Sequence, residues 1–163
     1  MTKPILEKGK NENRRTRRPP MPDTLPHRSW TMAQVGQKNT KPEMIVRRLI
    51  HGLGYRYRLH KRGLPGTPDL VFPSRKKVLF VHGCFWHSHS DKNCKFSRRP
   101  KSRTDYWEPK LARNAERDAI TEQRLRSDGW DVLVVWECQL RDFQSLASKI
   151  SDFLGPAGSA ARS

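Results

Sequence analysis

Residues 82–91, HGCFWHSHSD, hold three histidines, one cysteine and two large aromatic residues within ten positions. The stretch follows directly on an apolar run at residues 78–81, VLFV, which is typical of a buried strand. Its polar side chains are therefore expected at the end of that strand. Histidine and cysteine at a strand end indicate metal ligands or a reaction centre, and the aromatic pair Phe85 and Trp86 indicates stacking on flat rings such as nucleobases.

The chain is strongly basic, with 33 lysines and arginines against 16 acidic residues and a net charge of +17 over 163 residues. The first 29 residues carry eight basic and three acidic side chains, so the remainder keeps a net charge of +12. Because each neutralised phosphate releases condensed counterions, this balance favours a polyanionic partner such as nucleic acid. Incidental or ribosome-like basicity is the alternative.

The composition also bounds the organisation of the chain. No apolar run reaches the roughly 20 residues of a membrane span, and no signal-peptide pattern opens the chain. Three cysteines, an odd number, argue against a disulfide framework and favour metal binding. Proline and basic residues predict a disordered arm at 1–27, followed by one domain at 28–155 and a flexible tail at 156–163.

Local patterns predict a mixed α/β domain. Thr40 and Pro42 begin a helix that ends at Gly52, because Thr caps helices and Pro suits their first turn. The apolar runs at 70–72 and 77–81 predict a hairpin. The other predicted elements are a half-exposed strand at 55–59, a long polar loop at 87–104, a helix at 109–127, a buried strand at 131–136 and a closing helix from Phe143 to Leu154.

Asp69 lies where a loop becomes a buried strand, and the hairpin can bring it to the end of the strand that leads to His82. A carboxylate near a backbone carbonyl suits Mg²⁺, which phosphodiester cleavage uses to polarise the phosphate. The alternative for Asp69 is an ordinary turn cap. His82 and His87 are candidates for proton transfer at one phosphate, since histidine titrates near neutral pH.

Three thiols and one imidazole make a closed structural zinc site, and the candidate ligands are Cys84, His89, Cys94 and Cys138. This set uses every cysteine of the chain. Cys138 as a buried thiol, and His87 in place of His89, remain open alternatives. Phe85 and Trp86, if extended, point to opposite faces and so favour a wedge between base pairs, against one ring in the core and one over the zinc site.

The motifs together resemble the very short patch repair (Vsr) DNA mismatch endonuclease family. They are TKPE at 40–43, LPGTPDLVF at 64–72, VHGCFWHSH at 81–89, RRPKSRTDYW ending at Trp107, NAERD at 114–118 and GWDVLVVWEC at 129–138. The resemblance implies a restriction-endonuclease-like mixed sheet flanked by helices, with a structural zinc site. It implies a monomeric bacterial enzyme, cytoplasmic and nucleoid-associated, that nicks DNA 5′ of the thymine in T:G mismatches arising from 5-methylcytosine deamination.

The resemblance also implies roles for single residues. Asp69 and the Val81 carbonyl would bind Mg²⁺, His82 and His87 would handle the phosphate and the attacking water, and Glu43 would assist His87. Zinc would bind the four residues named above, and Met32, Phe85 and Trp86 would intercalate into DNA. Val81 stands where some relatives have threonine, and the four residues between His89 and Cys94 exceed the usual spacing, which puts Cys94 in question.

Two other functions stay open on the sequence. One is a related restriction-type or structure-selective nuclease, and the other is a catalytically silent zinc module that binds DNA. The expected partner is double-stranded DNA with a T:G mismatch, other mismatch-repair proteins are further candidates, and no membrane association is expected.

Overall fold

The computed structural model describes residues 38–157. Within them lie three α-helices and four strands: α1 Lys41–Gly52, β1 Arg58–Leu59, β2 Leu70–Phe72, β3 Lys77–His82, α2 Thr104–Ser127, β4 Asp131–Trp136 and α3 Phe143–Leu154. Short 3-10 helices cover Pro73–Arg75, Lys95–Ser97 and Glu137–Arg141. The arm expected at 1–27, Met32 and residues 158–163 of the expected tail lie outside the described residues.

The four strands form one mixed sheet in the order β1-β2-β3-β4. β2 and β3 form the predicted antiparallel hairpin, with Leu70 opposite Leu79. β3 and β4 are parallel, with Val81 opposite Val135, and α2 connects them along the chain. The expectation of a mixed α/β sheet flanked by helices is confirmed, and β3 is a central strand.

Helices cover both faces of the sheet, which explains why β3 is apolar without interruption. On one face, Leu79 packs in a cluster with Ile50 of α1 and Ile150 of α3. On the other face, Val78 and Phe80 pack with Leu125 of α2. With its side chains buried on both faces, β3 is firmly held, and its end at His82 is a rigid place for functional groups.

Two elements differ from their predicted bounds. α2 begins at Thr104, so that Pro109 lies inside the helix rather than in its first turn. The extra turn buries Trp107 against the ring of Phe85, and this packing offsets the backbone hydrogen bond that Pro109 cannot donate. The strand expected at 55–59 is reduced to two residues, since only Arg58 and Leu59 pair with β2. Tyr55 is buried instead, and its hydroxyl donates to the Gly155 carbonyl, 2.6 Å away.

No helix among the described residues is long and apolar enough to cross a bilayer.

Candidate active site and metal centre

Asp69 directly precedes β2, and the hairpin places its carboxylate against the neighbouring strand. Its Oδ2 accepts a hydrogen bond of 2.8 Å from the backbone N–H of Val81, the residue before His82. Burial raises the pKa of Asp69, the nearby Glu43 carboxylate raises it further, and the Val81 N–H, His60 and Arg47 act in the opposite direction. A cation bound at this position would favour the ionised form of both the Asp69 and the Glu43 carboxyl groups.

Glu43 is 2 % exposed and lies on the Asp69 side of the site. Its Oε1 accepts a hydrogen bond from Arg47 and lies 3.2 Å from His60 Nε2. His60 Nδ1 in turn lies 4.0 Å from Asp69 Oδ1. Ligand atoms of Glu43, His60 and Asp69 all fall within 4.8 Å of one another.

His82 and His87 form a second group with Asp118. The two imidazole rings stack with centroids 3.8 Å apart, and His87 Nδ1 lies 2.5 Å from Asp118 Oδ2. Burial and the neighbouring His87 lower the pKa of His82 to about 4. Burial by itself raises the pKa of Asp118, but its hydrogen bond to His87 brings the pKa below the ordinary value. His87 is thus held by a carboxylate, an arrangement suited to accepting a proton.

The resemblance implied that Glu43 assists His87, but the carboxylate that contacts His87 in the structure is a different one. Asp118 of α2 contacts His87, whereas Glu43 of α1 contacts His60 and Arg47. Asp118 lies 31 residues from His87 along the chain, so no local pattern could link them. The only sequence signal for Asp118 was its place in the NAERD motif, and His60 had none.

The four sulfur and nitrogen ligands predicted for zinc come together. One ligand atom from each of Cys84, His89, Cys94 and Cys138 lies within 4.8 Å of the others, and Cys138 Sγ is 3.6 Å from His89 Nδ1. Burial raises the pKa of the Cys94 thiol, but contacts with His89 and the other two cysteines lower it to about 6. Three thiols and one imidazole in contact are the donor set of a structural zinc site.

Local structure explains how Cys94 reaches this cluster despite the long spacing. Residues 91–94 form a turn in which the Cys94 N–H donates to the Asp91 carbonyl at 3.1 Å and the Asn93 N–H donates to Asp91 Oδ1 at 2.8 Å. The four residues between His89 and Cys94 therefore fold back on themselves. Spacing alone could not tell whether His87 or His89 joins the cysteines. In the structure His89 lies with the cysteines and His87 lies with His82.

Trp136 lies between the two groups. Its ring stacks on His89 at 4.2 Å between centroids and meets the His82 ring edge-on at 5.4 Å. One aromatic ring therefore contacts a member of the cysteine–histidine group and a member of the histidine stack.

Phe85 and Trp86 do not point to opposite faces, because residues 84–88 form a turn instead of an extended strand. The two rings contact each other at 5.1 Å between centroids, and both contact Trp107. Both remain half-buried, and the Lys110 ammonium lies 5.9 Å from the centre of the Trp86 ring. The result is an aromatic cluster beside the histidines with a basic residue over it.

The amino-acid sequence of the chain is similar to proteins of one family. The family model for DNA mismatch endonuclease Vsr matches residues 23–93. The type II nicking enzyme V.XorIIP of Xanthomonas oryzae pv. oryzae is 52% identical over 130 residues, which cover 80% of this chain and 93% of that protein. The chain belongs to the Vsr family of DNA mismatch endonucleases.

Two further Vsr-family relatives agree with this assignment. The type II nicking enzyme V.NmeAIP of Neisseria meningitidis serogroup A is 43% identical over 119 residues, covering 73% of this chain and 83% of its own length. The DNA mismatch endonuclease Vsr of Escherichia coli strain K12 is 38% identical over 122 residues, covering 75% of this chain and 76% of its own length. Membership in the Vsr family makes the protein a DNA endonuclease, a hydrolase of phosphodiester bonds.

The Vsr family match at 23–93 includes Glu43, Asp69, His82 and His87. It ends before Cys94, Asp118 and Cys138, which complete the two side-chain groups only in the folded chain.

Proposed function

We propose that the protein nicks double-stranded DNA on the 5′ side of the thymine in a T:G mismatch left by deamination of 5-methylcytosine, by Mg²⁺-dependent hydrolysis. The observation that carries this proposal is the placement of Asp69 and the His82–His87–Asp118 group on either side of Val81. Asp69 bonds to the Val81 N–H, and the stacked histidines begin at the next residue. A carboxylate suited to binding a metal ion and a histidine suited to acting as a base thus both lie at the end of β3.

The residues that would hold Mg²⁺ are Asp69 and the backbone carbonyl of Val81, with the Glu43 carboxylate nearby. Oxygen ligands of this kind suit Mg²⁺, and burial of two carboxylates near each other favours a bound cation. The chemistry that the ion supplies when bound is polarisation of the phosphoryl oxygen and stabilisation of the leaving oxygen.

The histidines supply the proton chemistry. His87, held at Nδ1 by Asp118, takes a proton from the attacking water through its other ring nitrogen, and the Asp118 carboxylate stabilises the imidazolium that forms. His82 is neutral in the free protein because of its low pKa, and the proposal assigns the contact with the phosphate to its ring, which stacks on His87. The water oxygen bonds to phosphorus as the bond to the leaving oxygen breaks.

The metal centre and the aromatic cluster have separate roles in this proposal. Cys84, His89, Cys94 and Cys138 would hold the zinc ion, which would join the basic loop to the ends of β3 and β4, as a structural site does. Phe85 and Trp86 would enter the base stack beside the mismatch, with Met32 from the N-terminal region. The fold would be of the restriction-endonuclease type, the protein a monomer, and its location the bacterial cytoplasm at the nucleoid.

The experiment is strand-specific nicking of a labelled duplex with one T:G mismatch, beside its T:A twin, in several flanking sequences, with Mg²⁺ and with chelator. We expect a Mg²⁺-dependent nick 5′ of the mismatched thymine that is absent from the T:A duplex. Equal cutting of both duplexes would favour a restriction-type nuclease, and binding without cutting would favour a silent zinc module.

The variants Asp69→Asn and Asp69→Ala sharpen this test. Asn keeps an oxygen that can accept from the Val81 N–H but loses the charge that binds a cation, whereas Ala loses both. We expect both variants to bind the mismatched duplex and neither to cut it. If Asp69→Asn cuts as well as the wild type, Asp69 does not bind the metal and the proposed site is wrong.

A further inference from the structure

A network of charged and polar side chains, buried at Glu43 and Arg47, runs from the beginning of α1 to Asp69. It comprises Asn39, Arg47, Glu43 and His60, and it ends at Asp69 Oδ1. Arg47 and Glu43 are nearly inaccessible to water. Burying an arginine and a glutamate together yields little stability, because desolvation costs about as much as their attraction returns. The position of the pair beside a candidate metal ligand therefore points to function.

Arg47 uses its two terminal nitrogens to direct its neighbours. Nη2 donates to Glu43 Oε1 and lies 2.9 Å from His60 Nε2, while Nη1 donates to Asn39 Oδ1 at 2.7 Å. The fork geometry of a guanidinium lets one nitrogen serve a carboxylate and an imidazole at once, which a lysine ammonium does less specifically. Glu43 and His60 are thus held side by side from the helix that carries both Glu43 and Arg47.

Both ring nitrogens of His60 face charged neighbours. Nε2 lies 2.9 Å from the Arg47 donor Nη2 and 3.2 Å from the acceptor Glu43 Oε1, so these two residues hold one side of the ring. The other nitrogen, Nδ1, lies 4.0 Å from Asp69 Oδ1, the carboxylate oxygen that does not bond to Val81.

We propose that Arg47 and His60 are positioning residues of the active site: Arg47 holds the His60 ring, and the Nδ1 side of that ring keeps the free oxygen of Asp69 turned toward the cation. This inference rests on the proposed function, in which Asp69 binds Mg²⁺. Removing a partner that orients a metal ligand in this way typically lowers metal affinity or activity by roughly 10- to 100-fold.

The chain offers a matched set of variants. His60→Gln keeps an oxygen that can accept from Arg47 and an N–H that can face Asp69, whereas His60→Leu keeps similar bulk without either group. His51 is an exposed histidine at the end of α1, and His51→Leu is the control for loss of a histidine as such. Thermal unfolding and zinc content establish that each variant is folded.

The readouts are binding of Mn²⁺ to the zinc-loaded protein, followed by electron paramagnetic resonance, and the Mn²⁺ dependence of nicking. We expect His60→Leu to weaken Mn²⁺ binding and raise the half-saturating concentration roughly tenfold. His60→Gln should stay within about threefold of the wild type, and His51→Leu should match it, with DNA affinity unchanged in all three. If His60 served only in packing, the His60→Gln and His60→Leu variants would not differ in this way in Mn²⁺ affinity.

Equal affinities in His60→Leu and the wild type would overturn the proposal, as would equal losses in His60→Leu and His60→Gln. Failure of the proposed function is separate, since it would appear as wild-type protein that cuts no mismatched duplex. In that case Mn²⁺ binding that is abolished by Asp69→Asn still reports on the role of His60.

Discussion

The His82 and His87 rings lie parallel within 8°, with their centroids 3.8 Å apart. The turn between them makes this contact, because the His87 N–H donates to the Gly83 carbonyl at 3.2 Å and returns the chain over the end of β3. Stacking orients both rings, and Asp118 holds the outer one at Nδ1. The two histidines therefore act as a unit whose orientation depends on α2 as well as on β3.

Replacing Asp118 tests that dependence. In Asp118→Asn the side chain keeps its shape but loses the charge that stabilises a protonated His87, so we expect single-turnover nicking to slow by roughly 100-fold with DNA affinity unchanged. Asp128→Asn, at an exposed position just after α2, is the control. A wild-type rate in Asp118→Asn would show that His87 does not need this carboxylate.

Removing one thiol tests the metal centre. We expect the wild-type protein to hold one zinc ion per chain and Cys138→Ala to lose it, with a lower melting temperature, because zinc binding contributes to folding. Metal content is measured by mass spectrometry after gel filtration, with Ser90→Ala at an exposed position of the same loop as the control. Full zinc content in Cys138→Ala would remove Cys138 from the site.

The salt dependence of DNA binding tests whether the net charge of +17 contributes to the affinity for DNA. Each phosphate that a basic side chain neutralises adds about −0.9 to the slope of log affinity against log salt concentration. We expect a slope steeper than about −4 for binding to a duplex, measured by fluorescence anisotropy over a range of salt concentrations. A flat response would exclude the basic surface as the source of affinity.

Core packing behind the site can be tested on α2 itself. Leu125 is fully buried against β3 and β4 residues, so Leu125→Ala should lower the free energy of unfolding by about 2–5 kcal/mol. Ile120→Ala, on the same helix but 43% exposed, is the matched control and should change stability little. Chemical denaturation measures both, and equal losses would contradict the packing described for this face of the sheet.

The helix caps and strands that depend on a few neighbouring residues could be predicted from the sequence. Thr40 caps α1 as expected, with its hydroxyl accepting from the Glu43 N–H at 3.4 Å, and the hairpin of β2 and β3 is confirmed. The beginning of α2 was wrong because Pro109 was given the first turn, whereas packing of Trp107 extends the helix past it. The opposite orientation of Phe85 and Trp86 was wrong because it assumed an extended chain.

The sequence by itself determined which chemical groups the protein has at the end of β3 and which segments form the sheet, since side-chain type and apolar periodicity are properties of neighbouring residues. Only the tertiary structure decided that His87 pairs with Asp118, that Glu43 pairs with His60, and that Cys138 joins the ligands of the preceding loop. These contacts join residues far apart in the chain. They form because α1 and α2 pack near the same end of the sheet, and because parallel pairing of β3 with β4 brings both strand ends to one edge.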